Sequence, residues 1–231
     1  MIELDGSEGG GQFLRSALAL SALTGEPFQM TDVRGGRSNP GLRPQHLTAV
    51  ALLADICDAE VSEVEVGTDE VTFRPEGVRP GTYTADIGTA GSITLLFDTV
   101  LPLAVTTPEP LVVTARGGTD VKWSPTAAHY RQVKLRLLCR VGLQAAVEVD
   151  RPGFYPAGGG EATLRIGPSD LAGLALSGRD GSGDEDINAR VFSLASMDLA
   201  DQAVADRQAD AALEGLEEAG ISTIEQTVRY A

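Results

Sequence analysis

Lysine is nearly absent from this sequence. Lys122 and Lys134 are the only two among 231 residues, and arginine supplies the other basic side chains. Aspartate and glutamate number 33 against 18 lysines and arginines, so the net charge is −15. So acidic a chain would ordinarily repel a phosphate backbone. Scarce lysine with abundant acid is also typical of adaptation to high salt, where screening shortens electrostatic reach to about 3 Å at 1 M. The net charge therefore excludes little, and local basic clusters are more informative.

Cysteine is scarce too, and long apolar runs are missing. Cys57 and Cys139 are too few for a disulfide framework or a metal cluster. Both lie in apolar stretches that read as helical, so we expect small core residues. No stretch approaches the roughly 18 continuous apolar residues of a membrane span. Residues 2–5 show neither the basic nor the apolar region of an export signal, so we expect a cytoplasmic protein without membrane contact.

An internal repeat organises the chain. Three pairs match at an offset of 82 or 83 residues: the Arg-Gly-Gly runs at 34–36 and 116–118, Cys57 with Cys139, and His46 with His129. The spacing of apolar residues and the positions of Gly and Pro predict that each unit contains, in order, a strand, a helix, a strand, a helix and two strands. The predicted elements are 2–4, 12–23, 28–33, 44–57, 61–66 and 71–73 in the first unit, and 83–87, 92–104, 111–115, 126–141, 144–149 and 162–166 in the second.

We therefore predict an α+β fold with two tandem βαβαββ repeats, over residues 1–80 and 81–180. A polar run at 177–186 indicates a domain boundary. Beyond it, a strand at 187–194, an acidic helix at 198–218 and a strand at 221–228 predict part of a smaller α/β domain, residues 181–231. Because repeat folds commonly need about three units to bury their faces, we expect an incomplete molecule.

The first candidate site is a glycine-rich run at residues 5–15, where the first predicted helix begins. It is neither a P-loop nor a dinucleotide fingerprint, because both of those spacings are missing. Glycines before a helix let backbone N–H groups approach an anion. A carboxylate such as Glu8 beside a phosphate indicates a bridging Mg²⁺ or Mn²⁺. The alternative is that Glu8 only caps the helix and the glycines only serve packing.

The second candidate site covers residues 34–46, which carry three arginines and no acid. Guanidinium forks bind phosphate bidentately. Gln45 and His46 begin a predicted helix, whose positive N-terminus favours anions. The alternatives are a solvated loop and a His46 that caps the helix or lies in the core.

Two further candidates lie in the second unit. The run 117–125 and the helix after it contain Trp123, Pro125 and His129, whose flat or apolar surfaces suit a stacked base. The alternative is that Trp123 is buried and anchors the loop. The run at 153–161 is rich in glycine and is equally compatible with a simple turn between strands.

These motifs, in this order, resemble one known family, RNA 3′-terminal phosphate cyclase. The matching segments are Glu8-Gly9-Gly10-Gly11-Gln12 with Leu14-Arg15, residues 34–37 with Pro40-Gly41-Leu42, Gln45-His46-Leu47, Gly117-Gly118-Thr119-Asp120, and Gly153-Phe154-Tyr155-Pro156 with Gly158-Gly159-Gly160. The similarity runs from residue 2 to about residue 166 and continues weakly into the tail. Five ordered motifs make the resemblance specific.

The resemblance implies three βαβαββ repeats with a smaller domain inserted before the last. It also implies a ligase-type enzyme that uses ATP and a divalent metal, Mg²⁺ or Mn²⁺, to convert an RNA 3′-terminal phosphate to a 2′,3′-cyclic phosphodiester, with AMP and diphosphate as products. In that reaction a histidine is adenylylated, AMP passes to the RNA phosphate, and the 2′-hydroxyl displaces it. The implied partners are ATP and RNA with a 3′-phosphate end; no obligate protein partner is evident.

The resemblance also assigns site residues, position by position. Glu8 matches the metal-binding glutamate; Arg15, Arg34, Arg37, Gln45 and His46 match residues that hold phosphate groups; Asp98, Pro125 and His129 fall in the ATP site. Two of these depart from the family. His129 replaces an expected aromatic residue beside the adenine, and Asp98 stands where relatives carry a glutamine that contacts the nucleotide.

The family's nucleophilic histidine lies in the third repeat, and neither His46 nor His129 matches it. Residues 199–202 resemble a nucleotide-binding motif of that repeat, but they fall in the predicted helix of the partial domain, so we interpret the likeness as coincidence. We therefore expect a C-terminally truncated, salt-adapted member, such as one from a halophilic archaeon. We expect it to hold no catalytic nucleophile and to be inactive alone.

Two rival functions belong to other classes. A non-catalytic relative could bind RNA during ribosome assembly, although such relatives tend to lose the Glu-Gly-Gly-Gly-Gln signature at 8–12, which is intact here. A small-molecule transferase on similar repeats would use the arginine loop to hold a phosphorylated metabolite. Covalent AMP on the protein separates the cyclase from both.

Overall fold

The computed structural model describes residues 1–174, 188–221 and 223–231. The chain forms two compact units, Met1–Gly173 and Leu174–Ala231, and its mixture of helices and sheets confirms the α+β class. The predicted boundary run at 177–186 lies outside the described residues. Within the described part, no helix is both long and apolar enough to cross a lipid bilayer.

The first sheet has four strands in the order β1-β2-β4-β3. They are β1 (Ile2–Asp5), β2 (Phe28–Thr31), β3 (Glu60–Val61) and β4 (Val71–Arg74). β1 and β2 are parallel, whereas β4 pairs antiparallel with both β2 and β3. Helix α1 (Gly11–Thr24) connects the parallel pair, as such a pair requires, and α2 (Pro44–Cys57) connects β2 to β3.

The second sheet has the order β5-β6-β8-β7, with β5 and β6 parallel and the other two pairs antiparallel. Its strands are β5 (Gly81–Asp86), β6 (Leu111–Gly117), β7 (Ala145–Arg151) and β8 (Gly160–Ile166). Helix α3 (Ile93–Val100) connects β5 to β6. The connection from β6 to β7 is α4 (Ala127–His129), a π turn (Tyr130–Lys134) and α5 (Leu135–Cys139). Both sheets therefore have the same strand order and the same helix positions.

Local sequence explains several boundaries. α1 ends at Thr24 because Gly25 adopts the left-handed conformation (φ 74°) and donates its N–H to the Ser21 carbonyl. α2 begins at Pro44, whose missing N–H has no intrahelical partner to lose at that position. α3 begins after Ser92, whose hydroxyl accepts the Leu95 N–H at 3.2 Å.

Several predicted elements differ in length from the observed ones, and in three of them the structure shows where the observed element begins or ends and why. The strand predicted at 61–66 ends at Val61, because the Ser62 hydroxyl accepts the Thr72 N–H and takes the place of a ladder bond. The helix predicted at 92–104 ends at Val100 and continues as a 3₁₀ turn, Leu101–Val105, since Pro102 cannot donate an α-helical hydrogen bond. The helix predicted at 198–218 begins as a 3₁₀ turn, Met197–Gln202, and becomes α6 (Val204–Glu218) only after Ala203 turns left-handed.

The helices of both sheets share one core, because α1 packs against α2 and α3. Phe28 and Phe73 stack on the first sheet with centroids 5.9 Å apart, and Phe97 packs against Tyr130 at 6.4 Å. Cys57 is buried, but Cys139 is exposed, so the prediction of two core cysteines was wrong for the second. Cys139 lies at the end of α5, beside strand β7 rather than inside the core.

The second unit is a parallel pair, β9 (Asn188–Ala195) and β10 (Thr223–Tyr230), connected by α6. Ala205 and Ala209 are its buried helix positions. The Ser193 hydroxyl donates to the Ala205 carbonyl at 2.7 Å and ties the helix to β9.

Candidate functional site

The glycine-rich loop after β1 and the arginine loop after β2 lie against each other at the carboxyl ends of these two strands. The parallel strands end there together, and the Gly6 N–H donates to the Thr31 carbonyl at 2.8 Å. A side chain at Gly35 would place its Cβ 3.0 Å from the Ser7 Cα, and one at Gly36 would lie 2.9 Å from the Ser7 carbonyl oxygen. Glycine at both positions therefore allows the two backbones to approach. Ligands of open α/β sheets bind at this kind of edge.

His46 connects the beginnings of α1 and α2. Its Nδ1 accepts the Arg43 N–H at 3.1 Å, and its Nε2 lies so close to Gly11 that a Cβ there would overlap it. The Arg37 guanidinium lies beside the neighbouring Gly10, where a Cβ would be 2.9 Å from Nη2. An imidazole and a guanidinium therefore face the N-terminal end of α1, which attracts anions.

The electrostatics of this pocket keep His46 neutral. Burial lowers the pKa of His46 to about 4, with further lowering by Arg34, Arg15 and Arg43. Since Nδ1 accepts a hydrogen bond, the single proton of the neutral ring is on Nε2, the nitrogen that faces Gly11. His46 therefore presents a neutral N–H donor in a basic pocket.

Arg34 holds the shape of the arginine loop. Its backbone is left-handed (φ 59°), and its Nη1 donates to the carbonyls of Asn39 at 2.7 Å and Gly41 at 2.8 Å. Burial, followed by Arg43 and Arg37, lowers its pKa. Three guanidiniums held together in this way make a strongly positive surface that an anion would stabilise.

Arg15 is a buried cation on α1, with 7% of its surface exposed. Its Nη2 donates to Gln12 Oε1 at 2.9 Å, while the buried Nε has no hydrogen-bond partner among the described residues. Burial lowers the pKa of Arg15, and the Asp98 carboxylate acts in the opposite direction. A buried donor without a partner is costly unless a ligand supplies one.

Gln45 joins this site to the second sheet. Its Oε1 accepts the N–H of Ser92, the residue before α3, at 3.0 Å. Next along α3, the Thr94 hydroxyl donates to the Pro125 carbonyl at 2.8 Å. Pro125 is half-buried and the His129 side chain is exposed, so this chain of contacts leads from the arginine loop to the predicted ATP-binding residues.

Asp98 is paired with a cation in its own chain. Its Oδ1 lies 2.5 Å from Lys134 Nζ, and 19% of the Asp98 side chain and 33% of the Lys134 side chain are exposed. Its negative charge also raises the pKa of the buried Tyr130 hydroxyl, after burial itself. No local sequence pattern relates α3 to the π turn, so Lys134 was not predicted as the partner of Asp98.

The loops at the end of the second sheet expose two aromatic rings. Trp123 is 96% exposed and has a left-handed backbone (φ 66°), so the alternative that it is a buried anchor was wrong. Tyr155 is 62% exposed, and Lys122 Nζ lies 5.3 Å from the centroid of its ring. Such exposed rings offer flat faces to a base.

Burial raises the pKa of Asp120 in the same group of loops, and a hydrogen bond from Thr119 opposes that effect. The Gly153 N–H donates to the Thr119 hydroxyl at 2.9 Å, which fixes the loop at 117–125 to the loop at 153–161. The predicted turn at 153–161 therefore shapes the site by supporting its neighbour.

Glu8 is exposed beside the glycine-rich loop. In the described part of the chain, no group of three or more His, Cys, Asp or Glu side chains is arranged to hold a metal ion. A single carboxylate with substrate phosphates and water is nevertheless a usual environment for Mg²⁺. The donor set thus fits a metal that arrives with phosphate.

This chain is similar in sequence to a family of known proteins. Residues 6–216 match the family model described as RNA 3′-terminal phosphate cyclase. A protein of that name from Halobacterium salinarum is 48% identical over 220 residues, which cover 90% of this chain and 64% of the relative. One from Archaeoglobus fulgidus is 40% identical over 223 residues, covering 96% of this chain and 66% of the relative. One from Methanopyrus kandleri is 48% identical over 170 residues, covering 73% and 48%. The chain thus spans about two thirds of the length of the first two relatives.

Proposed function

Since the chain belongs to the RNA 3′-terminal phosphate cyclase family, we propose that it takes part in ATP-dependent conversion of an RNA 3′-terminal phosphate to a 2′,3′-cyclic phosphodiester. The observation that carries the proposal is the meeting of the glycine-rich loop and the arginine loop where β1 and β2 end. Because the matched region is 64% of the Halobacterium salinarum relative, the activity of the whole protein is itself part of the proposal.

Phosphate binding is the step that these residues support best. Arg37 and the neutral Nε2–H of His46 face the start of α1, and the buried Arg15 has a donor without a partner. Together they would bind a terminal phosphate through charge-assisted hydrogen bonds. Arg34 and Gln45 would act mainly by holding the loop and the α3 junction in place.

Glu8 is the proposed protein ligand for Mg²⁺ or Mn²⁺. Its carboxylate is exposed in the glycine-rich loop that precedes α1, the helix whose beginning His46 and Arg37 face. A divalent cation would neutralise phosphate charge and orient the reacting oxygens. Glu8 would then favour phosphate only when the metal is present.

Asp98, Pro125 and His129 form the proposed nucleotide side. Pro125 is positioned by Thr94, and His129 offers an exposed ring in place of the expected aromatic residue. Because Asp98 is paired with Lys134, the two side chains together carry almost no net charge. A contact from Asp98 to ATP would therefore be a hydrogen bond to a base rather than an interaction with phosphate, which a carboxylate repels.

The chemistry requires an activated phosphate. Transfer of AMP from ATP releases diphosphate, and once AMP is attached to the RNA 3′-phosphate, the adjacent 2′-hydroxyl forms the new P–O bond and AMP leaves. The phosphate-binding residues would hold the terminal phosphorus beside that hydroxyl. His46 is not the expected nucleophile, because its Nδ1 already accepts the Arg43 N–H and its Nε2 carries the proton.

The same proposal covers the architecture. The identical strand order of the two sheets supports tandem βαβαββ repeats, with residues 1–80 and 81–180 as the units. The β9-α6-β10 piece would belong to the smaller inserted domain, residues 181–231.

The decisive experiment incubates the protein with ATP, Mg²⁺ and an RNA carrying a labelled 3′-phosphate. Cyclisation would make the label resistant to phosphatase and release AMP and diphosphate. Because no catalytic nucleophile is expected in this chain, the preference for the 3′-phosphate in binding is the result that decides. Binding of the RNA end is measured alongside, with a 3′-hydroxyl RNA as the reference. We expect Arg37→Ala and Glu8→Ala to lose the preference for the 3′-phosphate about 10- to 100-fold, as loss of one or two charge-assisted contacts predicts.

Arg74→Ala is the control, because Arg74 is an exposed arginine far from the arginine loop in sequence and is paired only loosely with Glu60. If both site variants distinguish the two RNA ends as well as the parent protein does, the site assignment is wrong. RNA binding without end preference would instead favour the non-catalytic RNA-binding relative.

A further inference from the structure

A basic groove lies outside the site described above. Residues 121–147 contain five lysines and arginines and no acid, in a chain where acids outnumber these cations 33 to 18. Lys134 is held by Asp98, and Lys122 lies over the Tyr155 ring. The remaining three, Arg131, Arg136 and Arg140, line the groove.

The groove has a volume of about 460 Å³ and lies between the helical connection and β7, one of the two edge strands of the second sheet. Its other lining residues are Leu135, Cys139, Ala145, Ala146 and Val147. The arginines therefore surround a floor of small and apolar side chains. Among described residues, none of the three arginines has an acidic side chain within 4.0 Å.

The π turn is what aligns the arginines. The Leu135 N–H donates to the Tyr130 carbonyl, five residues earlier, instead of four as in an α-helix. Residues five apart are thereby brought toward the same side, so Arg131 and Arg136 line one groove. Arg140 follows one further turn along α5. Without the wider turn, Arg131 would be rotated away from the other two.

From this arrangement we infer that the groove binds the single-stranded part of the RNA upstream of its 3′-phosphate end. The inference rests on the proposed function. Three guanidiniums along one groove complement the negative charge of a polynucleotide, and the apolar floor suits ribose and base faces. The helical connection that lines the groove begins at Ala127 and contains His129, so the chain runs directly from the nucleotide side of the proposed site into the groove.

The acidic residues in the rest of the chain would confine a bound RNA strand to the groove. A polynucleotide near this protein is repelled by most of its surface, and the stretch 121–147 is an exception of 27 residues without a negative charge. An acidic protein segment is the competing occupant, and the experiment includes it as a separate arm.

The test compares two RNAs with 3′-phosphates, a dinucleotide and a strand of about 12 nucleotides. Affinity for a single strand falls as salt rises, and each phosphate contact makes the slope of log affinity against log salt steeper by about 0.7. One contact therefore changes the affinity about 5-fold over a tenfold change in salt. Arg136→Gln combined with Arg140→Gln is expected to reduce the slope for the long RNA by about 1.4, and to weaken its binding about 25-fold at the low-salt end. Binding of the dinucleotide should not change.

Arg74→Gln combined with Arg79→Gln is the matched control, since it removes the same charge from two exposed arginines outside the groove. An unchanged slope in the groove variant, with the preference for 3′-phosphate intact, overturns the groove and leaves the proposed function standing. A reduced slope with no preference for the 3′-phosphate in any protein supports the groove and contradicts the proposed site.

Cys139 provides an independent readout, because its exposed thiol lines the groove while Cys57 is buried with a pKa raised to about 11. The long RNA should slow alkylation of Cys139 several-fold, and the dinucleotide should not. Polyglutamate of similar length is the competing arm. Equal or better protection by polyglutamate overturns the inference in favour of an acidic protein partner.

Discussion

His46 Nε2 lies against Gly11, and the fit leaves no space for a Cβ on that glycine. The contact joins the first residue of α1 to the first turn of α2. It explains why α1 begins with glycine, and it means that the His46 ring contacts the ends of both the glycine-rich loop and the arginine loop.

Gly11→Ala should displace His46. The new methyl group overlaps Nε2, so the ring must rotate and lose the Arg43 N–H, or α1 must shift. We expect a loss of about 1–3 kcal/mol in the free energy of unfolding, as for other overpacked sites. Affinity for a 3′-phosphorylated RNA should also fall. Denaturant unfolding and RNA binding provide the two measurements.

Gly215→Ala is the control for that variant, since Gly215 lies in α6 with open space where a Cβ would be. Alanine there should be neutral or stabilising by up to about 1 kcal/mol. A Gly11→Ala protein as stable as the parent, with unchanged RNA affinity, would contradict the contact.

The low pKa of His46 predicts a pH dependence of stability. The folded-state pKa of about 4 is below the ordinary value of 6.5, so the unfolded chain binds a proton that the folded chain does not. The contribution is fully present above pH 6.5 and is lost as pH falls from 6.5 to 4, by a total on the order of 3 kcal/mol. Unfolding of the parent and of His46→Gln should be compared across that range. The difference between them should change with pH; parallel curves would show that His46 titrates normally.

Trp123 should contribute to nucleotide or RNA binding and not to stability. It is the one tryptophan of the sequence and is 96% exposed, so its fluorescence should be quenched when a base stacks on it. Trp123→Gly should weaken RNA binding by about 1–3 kcal/mol, the usual value for one stacked base. The same change should leave stability unchanged or raise it by about 1 kcal/mol, because a left-handed backbone is strained for tryptophan. Unquenched fluorescence in saturating RNA would exclude stacking.

Asp98 and Lys134 should behave as a coupled pair. Removing Asp98 alone leaves the partly buried Lys134 and the buried Arg15 without the negative charge of that carboxylate. Asp98→Ala should therefore destabilise the fold by about 1–3 kcal/mol, and Asp98→Leu with Lys134→Met should recover most of the loss. A double-mutant cycle of unfolding free energies measures the coupling. Additive effects of the two single changes would mean that the pair does not interact.

The sequence predicted the elements best where the signal was local. Helix α2 was predicted at 44–57 and spans Pro44–Cys57, because Pro44 marks its beginning and apolar spacing its length. The family resemblance was confirmed by the match over residues 6–216. The strand predicted at 61–66 was too long, since a serine hydroxyl ended the ladder, and no periodicity reports such a bond.

The candidate site divides in the same way. Glycines before a helix and arginines without acids were visible as patterns, and the site residues they suggested stay predictions that the experiments above test. Lys134, Thr94 and Ser92 were missed. A serine before an apolar helix is a capping signal that could have identified Ser92, but its bond to Gln45 spans 47 positions. No local pattern contains such a contact.

The sequence by itself determined the family, the α+β class and the order of strands and helices, because turn residues, helix caps and apolar periods act over a few positions. Only the tertiary structure decided which groups meet: the fit of His46 against Gly11, the Asp98–Lys134 pair, the exposure of Trp123 and the alignment of three arginines along one groove. The physical reason is that burial and charge depend on neighbours in space. Those neighbours come from distant parts of the chain, and packing of α1 against both α2 and α3 brings them together.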